Sequence, residues 1–236
     1  MSASLGPSII RDNNLSLILD AADRNSYRGS GTSWNNLTNT SIVGTLVNSP
    51  TFSNSNGGSF TFNGTNQYVN VTNTASGFDF SNTSFTVSVW VKTTSTSAAV
   101  IFAKGGTTGG WGLRYNTDGT VTAFTKNGSS SDATTRSTTS SIKDGKWHNI
   151  KLLFTTNTSV IASNNIQIYL DSILNQGTLT ASAVYGAESA STLKLANLSL
   201  NNYFNGSISK ISIYSKLLTN KEMFQNYTFQ KTRFDS

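Results

Sequence analysis

A two-residue alternation of apolar and polar side chains runs through much of this chain. It is clearest over residues 85–92, 150–154 and 166–170. Because successive side chains of an extended strand point to opposite faces, such alternation is typical of strands with one face on a core. Turn signals recur at short spacing with no helical pattern between them, which excludes parallel β-α-β architecture. The sequence therefore predicts an all-β protein, built as an antiparallel sandwich or barrel.

Dipeptides that suit tight turns interrupt the alternation: Asn63-Gly64, Asp118-Gly119 and Asp144-Gly145. The first two predict β-hairpins within 60–71 and 111–125, because both central positions of such a turn need positive φ. The Ser/Thr-rich stretch 128–141 fits either a mobile loop or an exposed edge strand. Strands are expected near residues 60–63, 66–71, 85–92, 111–116, 120–125, 147–154, 166–170 and 208–214.

One helix is predicted, beginning by Asn220 near the C-terminus. Thr219 and Glu222 have the spacing of a capping box, in which each side chain satisfies a backbone N–H at the start of a helix. Phe224 and Tyr227 are three residues apart and share a helix face. We therefore expect that face to dock on the sandwich.

Composition excludes several kinds of function. The chain of 236 residues has no Cys and one His, which excludes a disulfide scaffold, a thiolate zinc site and a two-histidine metal site. The net charge is +6, but the basic residues are scattered, so we expect no nucleic-acid partner. The first residues have no signal-peptide pattern, and no apolar run approaches the length of a membrane span. We expect no membrane insertion.

Five segments carry short motifs in a fixed order, at residues 62–69, 85–92, 144–150, 168–171 and 204–222. They read FNGTNQYV, FTVSVWVK, DGKWHNI and IYLD, followed by a closing segment that opens with FNGSI. Together they resemble laminin-G-like domains of the concanavalin A-like lectin/glucanase superfamily, over about residues 50–228. The resemblance departs at Asp171-Ser172, where Gly is usual, and this affects only a turn.

That resemblance implies a jelly roll of two packed antiparallel sheets with one short C-terminal helix. Residues 1–49 are expected to supply an N-terminal strand and loops, so that 1–236 forms a single laminin-G-like domain. Segments 17–22, 34–37 and 56–60 are similar to proteins of tailed-phage particles. This second resemblance implies a protein assembled in a host cytoplasm and displayed on the virion exterior. Its partners would be capsid or tail proteins, with a homo-oligomer left open.

The sequence offers little for catalysis. Glucanases of this fold carry two or three carboxylates on one strand, so that one can act as nucleophile and another as acid. The only glutamates here are Glu188 and Glu222, and Glu222 is assigned to the helix cap. His148 is the one side chain that titrates near neutral pH, and we interpret it as a sheet-rim histidine satisfied by backbone. We expect no enzyme activity.

Sugar binding needs aromatic faces together with amide and hydroxyl groups. Trp34, Trp111, Tyr115 and Tyr203 lie in loop or turn-proximal segments, where partial exposure is open to them although core packing is slightly favoured. They are the candidate ligand-binding residues, with core packing as the alternative for each.

Calcium is the one cofactor that the sequence leaves open, because hard oxygen ligands are all that the chain supplies. The candidates are Asp20, Asp23 and Asp79, and some laminin-G-like relatives bind calcium. The pair Asp20 and Asp23 also fits a turn with a capping carboxylate. Otherwise no cofactor is expected.

Three functions remain at this point. The first is a non-catalytic virion surface protein, as capsid decoration or part of a tail fibre or spike, that adheres weakly and multivalently to host-surface glycans. The alternative is a purely structural capsid cement protein without a ligand. A polysaccharide-degrading enzyme is the third, and the missing carboxylate pair opposes it.

Overall fold

The computed structural model describes residues 9–72, 74, 77–105, 109–128, 131–188, 190–198 and 202–234. Within these residues the chain forms seventeen strands, one α-helix and two single turns of 3₁₀-helix, at Ser55–Gly57 and Ile161–Ser163. The strands and the helix are, in chain order, β1 (Leu15–Asp20), β2 (Ser33–Asn35), β3 (Val43–Val47), β4 (Thr51–Ser53), β5 (Ser59–Asn63), β6 (Tyr68–Val71), β7 (Ser84–Lys92), β8 (Ala99–Gly105), β9 (Gly109–Tyr115), β10 (Val121–Asn127), β11 (Ser131–Ser137), β12 (Trp147–Thr155), β13 (Asn165–Leu170), β14 (Ile173–Leu174), β15 (Thr180–Ala181), β16 (Leu193–Leu195), β17 (Asn205–Tyr214) and α1 (Asn220–Lys231).

The strands form two antiparallel sheets. The eight-stranded sheet has the order β14-β13-β12-β7-β17-β5-β4, with β1 also paired to β17. The nine-stranded sheet has the order β15-β11-β10-β9-β8-β16-β6-β3-β2. This confirms the prediction of an all-β, two-sheet antiparallel jelly-roll sandwich with one short C-terminal helix.

Strand β17 holds two strands end to end along one side. Residues 205–208 of β17 pair with β5, and residues 210–214 pair with β1. Ser209 lies between the two halves, where its carbonyl accepts from Ala21 N at 3.0 Å and its hydroxyl donates to Gly58 O at 2.6 Å. The first strand of the chain and the β4–β5 unit are thereby fixed to the same partner.

The core lies between the inner faces of the two sheets. The alternation in β7 turns Phe85 and Val87 inward, and Phe85 stacks on Phe154 of β12 with ring centroids 4.6 Å apart. Trp111 of β9 meets Phe85 from the opposite sheet at 5.1 Å. Each large apolar side chain fully removed from water stabilises the fold by about 1.5–3 kcal/mol. The period-two pattern therefore selects the side chains that hold the sheets together.

Helix α1 covers the outer face of the eight-stranded sheet. Trp90 of β7 stacks on Tyr227 of the helix, and its indole Nε1 donates to Gln230 Oε1 at 2.7 Å. The expectation that Phe224 docks beside Tyr227 is wrong, because Phe224 is 64% exposed. The buried stripe of the helix is formed by Met223, Asn226 and Gln230, and Phe224 falls outside it.

The two predicted hairpins have different outcomes. Strands β9 and β10 pair directly, with Tyr115 opposite Val121, so the hairpin within 111–125 is confirmed. Strands β5 and β6 exist, but they lie in different sheets, so the hairpin within 60–71 is wrong. The Asn63 carboxamide accepts from Thr65 N at 2.9 Å and turns the chain away from its own strand.

The stretch 128–141 contains strand β11, which lies between β10 and the two-residue strand β15. Of the two alternatives, mobile loop and edge strand, the strand is correct for residues 131–137. Strand β11 is second from the edge, because β15 pairs with it on the outside. Residues 129 and 130 lie outside the described part of the chain. In the parts of the chain that the structure describes, no helix has the length and apolar character to cross a membrane.

The predicted capping box is present at the start of α1. Thr219 Oγ1 accepts from Glu222 N at 3.3 Å, and Glu222 Oε2 accepts from Thr219 N at 2.8 Å. Replacing Thr219 with Ala is expected to lower the free energy of unfolding by about 0.5–2 kcal/mol, because an N–H loses its acceptor. Denaturant unfolding measures this change. Thr228→Ala, at an exposed helix position, is the control, and equal stability of both variants would contradict the cap's role.

Candidate functional site

Three of the four aromatic candidates face the core. Trp34, Trp111 and Tyr115 are fully buried, so core packing is the correct alternative for them and their candidacy as exposed ligand-binding residues is wrong. The Trp111 indole donates to Phe78 O at 3.0 Å, and the Tyr115 hydroxyl donates to Ser95 O at 2.6 Å. The strand alternation continues through these turn-proximal segments and places their rings inward. In this arrangement none of the three offers a ring face to a sugar.

Tyr203 is half-buried and remains a candidate. Its ring centroid lies 6.3 Å from that of Tyr68 on β6. The ammonium of Lys194 on β16 lies 5.8 Å from the Tyr68 ring centroid. Tyr68 and Tyr203 thus form an aromatic pair beside a cation, and the neighbouring Asn202 lines a groove on the outer face of the nine-stranded sheet.

The register of the nine-stranded sheet identifies which side chains share that outer face. Direct cross-strand partners form one row across seven strands: Thr45, Asn70, Lys194, Ala103, Gly112, Phe124 and Thr135. Antiparallel partners point to the same side of a sheet. Since Val69 and Val71 beside Asn70 belong to the core, the row faces outward. Unlike the other sheet, this face is not covered by α1.

A groove of about 280 Å³ lies on this outer face. Its lining includes Val100, Arg114, Asn116, Phe124 and Lys126. Val100 and Phe124 belong to a small apolar cluster that is separate from the main core and packs against Leu198. The groove therefore has an apolar floor with cationic and amide groups at its walls, the combination that small-molecule sites use.

Arg114 is held in one orientation at this groove. Its guanidinium lies over the Phe124 ring at 4.5 Å and is ion-paired with Asp132 of β11. The Asn116 amide is fixed as well, donating to the hydroxyls of Thr120 and Thr122 at 2.9 Å each. Groups held in this way lose little side-chain entropy when a ligand binds. The groove is preorganised.

The calcium candidates do not form one site. The Asp20 carboxylate accepts from Arg233 Nη1 at 3.0 and 3.1 Å and contacts Lys210 Nζ at 3.1 Å. Burial by itself raises the pKa of Asp20, but Lys210 and Arg233 outweigh burial and hold that pKa below its usual value. Two cations of the chain therefore already neutralise this carboxylate, and Asp20 is corrected from a calcium ligand to an ion-pair partner.

The other two aspartates are engaged locally. Asp23 Oδ1 accepts from Asn25 N at 2.8 Å, as expected for a turn. Asp79 Oδ1 accepts from Ser81 Oγ at 2.9 Å and from Glu188 N at 3.0 Å. Over the described residues, no group of three or more His, Cys, Asp or Glu side chains could hold a metal ion. Among the described residues, the three candidate aspartates are therefore not part of such a cluster, and calcium binding stays a prediction.

His148 is held by two carboxylates, not by backbone as the sequence suggested. Its Nδ1 lies 2.8 Å from Asp171 Oδ2, and its Nε2 lies 3.0 Å from Asp144 Oδ1. Burial alone lowers the pKa of His148, but these two carboxylates outweigh burial and raise it above its usual value. Asp144 contacts the ring from the turn that precedes β12. Asp171 is brought close by the pairing of β12 with β13, which single-residue motifs do not reveal.

Lys151 is a buried cation that sequence reasoning missed. It lies beneath α1, where its ammonium is hydrogen-bonded to Asn149, lies 3.2 Å from Ser172 Oγ and sits 5.1 Å from the Tyr227 ring centroid. Burial lowers the pKa of Lys151 to about 7, against a smaller opposing effect of Asp171. Its position on an alternating strand offered a clue, because Lys151 faces opposite to the core residues Ile150 and Leu152.

Comparison with known proteins agrees with this architecture. A family model described as the concanavalin A-like lectin/glucanases superfamily matches residues 63–223. The binding domain of botulinum neurotoxin DC in complex with SialylT is similar, with a TM-score of 0.69 and 14% identity, over 92% of this chain and 52% of that chain. Its complex with rat synaptotagmin II gives a TM-score of 0.68 at 14% identity over the same shares.

A sialidase of Trypanosoma rangeli in complex with the inhibitor DANA is also similar. Its TM-score is 0.69 at 13% identity, over 98% of this chain and 36% of that chain. This chain therefore spans 36% to 52% of the length of these structures, and likeness at such identity shows the fold alone. Comparison with curated protein sequences gives no match.

Lys151 generates a prediction about stability and pH. A lysine whose pKa is about 7 when folded and about 10.4 when unfolded binds more protons in the unfolded state between these values. Its contribution to the free energy of unfolding therefore rises with pH, by up to about 1.4 kcal/mol per pH unit. The unfolding free energy of wild type minus that of Lys151→Met should therefore rise between about pH 7 and pH 9.

Urea unfolding at a series of pH values measures this difference. Lys221→Met removes an exposed lysine of helix α1, which covers Lys151, and is the matched control, for which the difference should stay constant. A pH-independent difference for Lys151→Met would contradict the burial effect.

Proposed function

This chain belongs to the concanavalin A-like lectin/glucanase superfamily, and we propose that it is a non-catalytic adhesion module for host-surface glycans. The ligand is held in the groove beside Arg114, on the open face of the nine-stranded sheet. Single-site binding at such an open groove is weak. Many copies on one particle turn weak sites into strong attachment.

The arrangement of Arg114 is the observation that carries this proposal. A guanidinium stacked on Phe124 and fixed by Asp132 presents a flat, partly apolar surface with N–H donors at its edge. A pyranose ring has apolar faces and hydroxyls around its edge, which match such a surface. Asn116 and Lys126 line the same groove and add polar groups to its wall.

The pair of Tyr68 and Tyr203 extends this surface beyond the groove. Both rings are half-buried, so each keeps part of a face available. Asn70 lies next to Tyr68 on β6 and accepts from Thr192 Oγ1 at 2.7 Å. An oligosaccharide longer than one unit could contact the groove and this pair together.

The carboxylates of the chain support binding without hydrolysis. In the described part of the chain, no Asp or Glu lines the groove, and the nearby Asp132 is neutralised by Arg114. Glu188 is buried, and its Oε1 accepts from the backbone N–H groups of Ala190 and Ser191 at 2.8 and 2.9 Å. A glycosidase needs an acid and a second carboxylate facing the substrate. The groove supplies neither.

The similar structures support a glycan partner by analogy. The botulinum neurotoxin binding domain is described in complex with SialylT, and the Trypanosoma rangeli sialidase with the inhibitor DANA. The activity of the sialidase is not carried over, because this chain matches 36% of that chain.

The location that we propose is the exterior of a virion, after assembly in a host cytoplasm. The support is the resemblance of residues 17–22, 34–37 and 56–60 to proteins of tailed-phage particles. Residues 1–236 would act there as one module attached to capsid or tail proteins, as capsid decoration or in a tail fibre or spike.

A second candidate function is structural cement between virion subunits. It is favoured by exposed apolar side chains away from the groove, on helix α1 and on edge strand β14. Phe224 is 64% exposed, Ile173 71% and Leu174 52%. Exposed apolar groups of this size suit contacts with another protein.

A dense glycan array probed with the multivalently displayed protein tests the adhesion proposal. Arg114→Lys keeps the charge beside Asp132 but loses the planar fork, and Tyr203→Ala removes the aromatic face. Each is expected to lower retention about tenfold. Phe224→Ala, an exposed aromatic on the helix, is the control and should bind like wild type.

The same proteins distinguish the competing functions. If the wild-type protein is not retained on the array and Phe224→Ala no longer associates with particles, the cement function is supported in place of adhesion. Release of oligosaccharides from host polysaccharide by the wild-type protein, and its loss in Glu188→Gln, would contradict the non-catalytic interpretation.

A further inference from the structure

Arg24 and Arg28 face one small cavity, and neither has a hydrogen-bonding or ion-pair partner among the residues that the structure describes. We propose that this cavity, between residues 21–29 and strand β4, is a second binding site, specific for an oxyanion such as a carboxylate or sulfate group. It shares no lining residue with the groove beside Arg114 and does not depend on the function proposed for that groove.

The cavity is small and continues into open clefts. Its volume is about 140 Å³, and its lining includes Arg24, Tyr27, Arg28, Phe52 and Asn54. One water occupies about 30 Å³ in the liquid, so the cavity holds a group the size of a carboxylate or sulfate with its nearest neighbours. An open cleft beside it is lined by Arg24, Phe52 and Asn54 as well, so a larger molecule could extend outward.

The guanidinium groups of Arg24 and Arg28 are not neutralised by the protein. Within the described residues, neither forms a hydrogen bond or an ion pair, and no Asp or Glu lines the cavity. The nearest acid in sequence, Asp23, accepts from Asn25 N. Two like charges on one cavity repel each other. A bound oxyanion removes that repulsion and accepts charge-assisted hydrogen bonds from both forks.

The next acidic group is also unavailable. Asp20 lies at the end of β1, and its carboxylate is taken by Lys210 and Arg233. The Arg233 Nε would lie 3.3 Å from a Cβ at Gly57, a residue that lines the cavity. The cationic character of this end of the molecule is therefore not cancelled, and it attracts anions.

The loop that carries both arginines is fixed by its own contacts. The Asp23 carbonyl accepts from Ser26 N at 2.9 Å and from Tyr27 N at 2.7 Å. The Tyr27 ring packs against Phe52 and Phe60 with centroids 4.8 and 4.7 Å apart. These contacts of Asp23 and Tyr27 fix the backbone of the loop from which Arg24 and Arg28 project.

The ligand can be a free oxyanion or an anionic group on a saccharide. The exposed part of Phe52 adds an apolar wall, which an inorganic ion would not use and a sugar ring would. Isothermal titration separates the two sources with four probes at fixed ionic strength: sialyllactose, a sulfated disaccharide, inorganic phosphate and uncharged lactose. Tighter binding of the charged saccharides than of phosphate assigns the site to a saccharide, and the reverse assigns it to a free oxyanion.

The variant Arg24→Gln with Arg28→Gln is expected to weaken binding of the charged probes at least tenfold. Lys146→Gln with Lys221→Gln removes the same charge from exposed positions elsewhere and should weaken it no more than about twofold. Arg24→Lys with Arg28→Lys keeps the charge but loses the forked donors and should fall in between. Thermal melts verify that all variants fold.

Three outcomes would overturn the proposal. They are the absence of saturable binding of every charged probe, equal loss in the Lys146/Lys221 control, and unchanged affinity in the Arg24/Arg28 variant. Arg114→Lys should leave binding at this cavity intact. The proposal for the groove and the proposal for this cavity are therefore tested by different variants.

Discussion

The buried ion cluster of Asp20, Lys210 and Arg233 is the constraint on which the arrangement of the chain ends depends. A carboxylate taken out of water costs several kcal/mol unless it is paired, so these three residues must stay together. They belong to the first strand, the last strand and the segment after α1, and Ser209 beside them binds the Gly58 carbonyl. The cluster therefore fixes where β1 ends, where β17 changes partner and where the chain turns after the helix. It also pairs the Asp20 carboxylate, which precedes the loop that carries Arg24 and Arg28, with two cations.

The position of helix α1 makes the outer faces of the two sheets different. The eight-stranded sheet is covered by α1, because Trp90 of β7 reaches out to stack on Tyr227 and Phe234 and to bind Gln230. Within the described residues, no helix covers the nine-stranded sheet, and its outward row of partners is left to shape a groove. Helix docking thus decides which face can bind a ligand. The fold makes one face structural and the other accessible.

The alternation in the sequence was sufficient to predict an antiparallel all-β fold and the expected strands, while the two-sheet jelly roll was implied by the family resemblance. It missed β8, since residues 98–103 are apolar without a break: Ile101 points into the main core while Val100 and Ala103 join the outer apolar cluster. It also assigned Asn63-Gly64 to a hairpin, because turn chemistry does not tell whether the next strand returns to the same sheet. Of the site, Tyr203 was identified, whereas Arg114, Asn116 and Lys126 come together only through strand register, which a single sequence does not reveal.

The net charge of +6 gains a different meaning once the fold is known. Lys104, Lys151 and Lys210 are buried, and Arg114 is paired with Asp132, so these four cations do not form an exposed basic patch. A polyanion such as duplex nucleic acid requires many exposed cations along one surface. Arg24 and Arg28 instead concentrate two cations on one cavity of about 140 Å³. Charge distributed in this way selects a single small anionic group, and a ligand bearing such groups at intervals would gain affinity only when many copies of the protein are displayed together.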